Sequence, residues 1–277
     1  MTPRRHWLAA LCCLPLALAA AGAQPSDTAH KVSTEPLFTR RDAWMAVGFL
    51  AVTAAASPLD ERLAQRLQNS GAQNQTFFKD ASKGVEYIAA PGAFIIGGGL
   101  YIAGRLGGNE RMADLGWHGT EAVMVGTLAS TLGKGLFGRA RPETVGAKDA
   151  RNYRFGRGFG GGAYASFPSG HATTAFAAAS AVTAETAAWW PHSKWIIGPA
   201  MYGGATMVGL SRMYHNKHWA SDVAMGALLG TFSGLKVVQY HHSHPGNQLD
   251  RWLLGRTSMA ATPSGDVALV VTIPTRW

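Results

Sequence analysis

The sequence predicts an all-α fold: a helical bundle of about six core helices with an amphipathic helix near the N-terminus. Two observations lead there. Apolar runs long enough for a helix recur along the chain, each closed by proline, glycine or a polar cluster. Only one stretch, Asp266 to Ile273 in the tail, reads as a strand. No repeat of about 20 to 50 residues is evident, so nothing points to a solenoid.

The elements follow in order. Arg4 and Arg5 precede an apolar run of 14 residues, Trp7 to Ala20, and Ala21-Gly22-Ala23 fits a small-x-small cleavage site. Residues 1–23 therefore read as a secretory signal peptide, since a run this short, with Pro15 inside, is poor as a membrane span. Both cysteines, Cys12 and Cys13, fall in it, so no disulfide, thiolate nucleophile or cysteine-bound metal is expected in the mature chain. Residues 24–41 read as a linker and 42–245 as the helical domain. Asp42 to Ala56 is the first apolar helix, closed by Ser57-Pro58. Asp60 to Leu67 has apolar residues at helical spacing opposite a charged face.

Glu86 to Ile102 is a second apolar run, and Arg105 to Arg111 breaks the pattern. Ala113 to Phe137 is the third, with Lys134 near its end. Arg139 to Tyr164 is a glycine-rich basic loop, read either as a funnel for polyanionic substrates or as a solvated charged loop. Pro168 opens a helix through Trp190. Trp195 to Leu210 and His218 to Tyr240 complete the set. Residues 246–277 form a tail.

Composition constrains the partners. Hydrophobic residues make up 47% and charged ones only 15%, while a mean hydropathy of +0.01 is low for a chain mostly facing lipid. Without Arg4 and Arg5 the 25 basic residues fall to 23 against 16 acidic ones, leaving +7. An exported protein seldom meets nucleic acid, so a phosphorylated substrate or an anionic lipid is the expected partner.

Three clusters recur at the ends of apolar runs. The first is Lys134, then six residues to Arg141-Pro142; the second is Phe167-Pro168-Ser169-Gly170-His171. The third is Ser211-Arg212, five residues to His218, and three more to Asp222. Any one of these cations alone reads as a solvated helix end. Brought to one end of a bundle, they supply three cations, two imidazoles, a carboxylate, a hydroxyl and a glycine amide. Arg141 and Arg212 are forks that match phosphate oxygens, and Lys134 is a point charge. Ser169 and Gly170 sit at a helix start, where free amides attract an anion. His218 and Asp222, four apart, are expected on one helix face, the carboxylate fixing the imidazole so that its far nitrogen attacks phosphorus. His171 is then available as the acid for the leaving oxygen. The scheme needs no metal and no cofactor.

These clusters resemble the three signature motifs of the type-2 phosphatidic acid phosphatase superfamily, which takes in lipid phosphatases, bacterial acid phosphatases and vanadium haloperoxidases. The resemblance spans residues 134 to 222, with every signature position occupied. It implies a metal-independent phosphatase in which Lys134, Arg141, Ser169, Gly170 and Arg212 bind phosphate. By the same match His218 forms a phosphohistidine, His171 is the general acid and Asp222 orients the nucleophile. A lipid phosphate or diphosphate is the first substrate class. A soluble acid phosphatase acting on small phosphomonoesters, and a vanadate-dependent haloperoxidase, are the alternatives.

Other residues carry weaker signals. His215 and Lys217 are expected at the entrance, or in an exposed loop. His241, His242 and His244 suit a metal less well than a polar helix end. Trp189, Trp190 and Trp195 fit an interfacial belt or a core equally well. Spans at 42–56, 86–102 and 113–137 after a cleaved signal would leave Lys134 in the cytoplasm, so either 42–56 does not cross or none of the helices does. Helix 172–190 contains Glu185 and is a poor span. A membrane-associated enzyme with a periplasmic site is preferred, and a soluble periplasmic one stays open.

Overall fold

The computed structural model describes residues 37–74, 82, 84, 92–244, 257–261 and 267–271. The chain divides into residues 1–31 and 32–277; the expected signal peptide lies outside the described residues, as does most of the expected linker. Among the described residues there are six long helices, two short ones and a hairpin: α1 (Arg40–Ala56), α2 (Asp60–Leu67), α3 (Ser70–Gln73), α4 (Ala93–Leu106), α5 (Glu110–Phe137), α6 (Gly170–Trp189), α7 (Ile197–Tyr214) and α8 (Ala220–Ser243). The expected all-α bundle is present. In the tail, β1 (Thr257–Ala261) pairs antiparallel with β2 (Val267–Val271), Thr257 opposite Val271. The predicted strand is β2; β1 carried no signal that singled it out.

Local chemistry sets the helix ends. The Asn109 side chain accepts from Met112 N at 3.1 Å and starts α5, and Gly138, at φ 56°, stops it in the left-handed conformation that favours glycine. Ser169 caps α6, so that helix begins at Gly170 rather than at Pro168. Helix α1 starts two residues before the expected boundary, because Asp42 reaches back to Thr39 N at 2.7 Å. Helix α7 continues past Leu210 to Tyr214, so Arg212 lies in its last turn.

Small residues hold the bundle together. Along α8, Gly226, Gly230 and Gly234 recur every four residues and lie on α6. A Cβ on Gly226 would come within 2.5 Å of Ser169 O, and one on Gly230 within 2.2 Å of Thr173 O. The facing core is alanine, with Ala122, Ala172, Ala177, Ala179 and Ala181 fully buried. Backbones that approach this closely gain dispersion contacts without large side chains, and they fix the relative height of α6 and α8. That height carries Ser169, Gly170 and His171 to the level of Asp222.

Candidate active site

The ends of α5, α6, α7 and α8 deliver the three clusters to one region. Lys134 stands in the last turn of α5, and its Nζ would lie 2.7 Å from a Cβ on Gly170. The absent side chain at Gly170 thus makes room for the ammonium beside the amides that open α6. Ser169 is fully buried; its N donates to Asp222 O at 3.0 Å, which pins the second cluster to the third. His171 is half-buried at the start of α6.

His218 is 3% exposed, and its Nδ1 lies 2.7 Å from Ser166 O. A carbonyl only accepts, so Nδ1 carries the proton and Nε2 of the neutral ring keeps its lone pair. Burial pushes this imidazole below its usual range; Lys134 and Arg212 push the same way and Asp222 opposes them. Arg141 lies in the segment after α5, anchored by its N donating to Ala163 O at 2.8 Å. Burial and the neighbouring Arg212 lower its proton affinity, against the pull of Glu143. Its Nε is buried without a hydrogen-bond partner among the described residues. Like charges gathered this closely require an anion to offset them.

One expectation needs correcting. His218 is not on the helix that holds Asp222: α8 begins at Ala220, and His218 precedes the capping residue Trp219. The reason is local. Asp222 Oδ2 accepts from Trp219 N at 2.9 Å, which closes the first turn and leaves His218 in the bend before the helix. Asp222 Oδ2 is 3.7 Å from His218 Nδ1, beyond hydrogen-bond range, so the bond that sets the tautomer comes from Ser166 O. At that distance the carboxylate acts on the ring through its charge.

A second layer of residues escaped the sequence reading. Arg139, expected in the funnel loop, is 1% exposed and turned inward. It donates to Asp222 Oδ1 at 2.5 Å, Asp60 Oδ2 at 2.7 Å, Ser221 Oγ at 2.8 Å and Ala150 O. Asp222 and Asp60 more than offset the burial that would otherwise lower its pKa, so the guanidinium holds its proton more firmly than usual. Ser166 Oγ donates to Asp222 Oδ2 at 2.5 Å, and Trp219 Nε1 donates to Ala140 O at 2.9 Å. Asp60 ties α2 to α8 through Ser221 N at 2.8 Å. Asp60 is buried at the start of the charged helix α2, and only the position of its partners gives that burial meaning. Elsewhere in the loop, Arg154 and Arg157 stack on the Tyr164 ring at 4.9 and 4.7 Å. Lys217 pairs with Glu143 at 2.6 Å, and His215 with Ser82 at 2.7 Å.

The family model for the PAP2 superfamily matches residues 115–245, which contain all three clusters. Over 102 residues it is 39% identical to the lipid A 1-phosphatase of Porphyromonas gingivalis, a match covering 37% of this chain and 18% of that protein. The crystal structure of the transmembrane PAP2-type phosphatidylglycerolphosphate phosphatase from Bacillus subtilis has the same fold, with a TM-score of 0.55 and 19% identity. That match covers 76% of this chain and 99% of the other.

Proposed function

We propose that the protein is a membrane-associated phosphatase that hydrolyses a phosphorylated lipid through a phosphohistidine. The observation that carries the reading is the arrangement at His218: Nδ1 tied to Ser166 O, the ring buried, and Lys134, Arg141 and Arg212 acting on the same small volume. His218 Nε2 forms a bond to phosphorus while the P–O bond to the lipid breaks, and His171 gives its proton to the departing oxygen. Water then attacks the phosphohistidine, His171 takes its proton, and inorganic phosphate leaves. The three cations and the amides opening α6 stabilise the charge on the equatorial oxygens, and Asp222 steadies the imidazolium character that develops. No step calls for a metal.

The outer surface favours a lipid over a soluble ester. Helix α5 exposes Met124, Val125, Leu128, Leu132 and Leu136 along one side, and α1 exposes Trp44 at 75% and Leu50 at 61%. Patches of this kind mark protein or membrane contact. By length and composition Arg40–Leu67 can cross a membrane, and 6% of its apolar window is buried. An apolar cavity of about 300 Å³ lies among α4 to α7, reached by Ala175, Val182, Met201 and Val208. Ala175 is one turn from His171 and Val208 one turn from Arg212, so a chain attached to a phosphate in the cup has an apolar path. A periplasmic site after export of the chain completes the reading.

The test is an assay of detergent-solubilised protein on a lipid phosphate and on a soluble phosphomonoester. Turnover of the lipid, with covalent phosphate lost in His218→Ala, is expected. Full activity in His218→Ala would refute the mechanism; preference for the soluble ester would refute the substrate class.

A further inference from the structure

Away from the phosphate cup, three helices converge on a second polar cluster inside the apolar bundle. Glu185 of α6 is fully buried, with one carboxylate oxygen against His118 Nδ1 of α5 and the other 2.9 Å from His242 Nε2 of α8. These ligand atoms all lie within 4.8 Å of one another. His241 stacks on His118, centroids 4.0 Å apart and planes 15° apart, and its Nε2 lies 2.6 Å from Glu121 Oε2. His118 stands 16 residues before Lys134, so about 24 Å of helix separates the cluster from the cup.

The charge balance of this cluster differs from that of the site. A buried carboxylate needs a compensating cation. Asp222 has Arg139, but the ion-pair partners of Glu185 among the described residues are both imidazoles. Two imidazole nitrogens and a carboxylate oxygen are also the donor set that tetrahedral Zn²⁺ takes, with bonds of about 2.0–2.2 Å. Such bonds place the ligand atoms about 3.4 Å apart, within reach of the present positions by small side-chain shifts.

We propose that His118, Glu185 and His242 form a binding site for a divalent transition-metal ion of the Zn²⁺ type, clamping α5, α6 and α8 at the end of the bundle away from the cup. Glu121 and His241 brace the His118 ring, as outer groups do around metal ligands. The fourth position opens towards His242, whose side chain is 42% exposed, and takes a solvent ligand. The ion lies too far away to touch the phosphoryl group, and the inference does not depend on the hydrolytic reading.

The test uses the full chain purified in detergent without a polyhistidine tag, stripped with a chelator and titrated with Co²⁺, then with Zn²⁺. One equivalent of Co²⁺ giving the visible absorption of a tetrahedral ion is expected in the wild type and in His218→Ala. His242→Ala, at a half-exposed position, should keep its fold and hydrolytic activity but lose affinity about tenfold or more. Zn²⁺ should raise the wild-type Tm and leave that of His242→Ala unchanged. An aqueous-type Co²⁺ spectrum in the folded wild type, equal affinity in His242→Ala, loss of the band in His218→Ala, or a wild-type Tm indifferent to Zn²⁺ would each overturn the assignment.

Discussion

At His218 a single backbone carbonyl decides which nitrogen would serve as the proposed nucleophile. Ser166 O holds the Nδ1 proton, so Nε2 is available whenever the ring is neutral. Since burial and the neighbouring cations lower the pKa, the neutral form persists to lower pH than in an ordinary histidine. The acid limb of kcat/KM, which reports the free enzyme, should therefore fall away below pH 6.5 rather than at it; a midpoint above that value in a pH–rate profile would contradict this. His218→Ala should lower kcat by at least about 10³-fold. Arg212→Lys should lose about 10²-fold or more, because a point charge does not replace a fork, and steady-state assay reads both. Every one of these residues was legible from its cluster. The partner of Nδ1 was not, because a backbone carbonyl 52 residues away carries no side-chain signal.

Between elements, the decisive contacts are the Arg139 network and the α6–α8 glycine stripe. Arg139→Met would strand the carboxylates of Asp60 and Asp222 in the interior, at a cost of about 3–5 kcal/mol. A thermal melt should show the loss, and activity should fall with it because Asp222 and Trp219 set the entry to α8. Gly230→Leu would force a side chain into Thr173 O and push α8 off α6, moving the third cluster away from the second. Gly204→Leu meets open space instead and lines the cavity, so it should keep the fold while lowering turnover of long-chain substrates more than short-chain ones. Assays across a chain-length series distinguish the two. The helices themselves were readable from apolar runs and their breakers, with ends displaced by a few residues where caps intervene. The inward turn of Arg139 was not, since the pattern of a basic loop is the same whether one member points to water or to buried acids.

For the molecule as a whole, the question is what surrounds it. The apolar exterior of α1 and α5 is large, and the fraction of the Arg40–Leu67 window that is buried is small. The protein should sediment with membranes after high-salt washing and enter solution on addition of detergent. Release by osmotic shock alone would contradict the lipid-facing reading. Trp190 and Trp195 are exposed at the far end of α6, at 58% and 72%, where an interfacial belt would place them. Glu185, which by itself counts against a lipid-facing helix, is turned into the bundle and costs the exterior nothing.

Sequence alone determined the all-α class, the succession of helices and the eight residues of the three clusters, because apolar runs, helix breakers and charged termini are written locally along the chain. Tertiary structure alone decided that Ser166 sets the His218 tautomer, that Arg139 and Asp60 support Asp222, and that His118, Glu185 and His242 meet. Those relations join residues 52 to 161 positions apart, and only the packing of the helices, with the segment between α5 and α6 folded onto them, brings them within bonding distance.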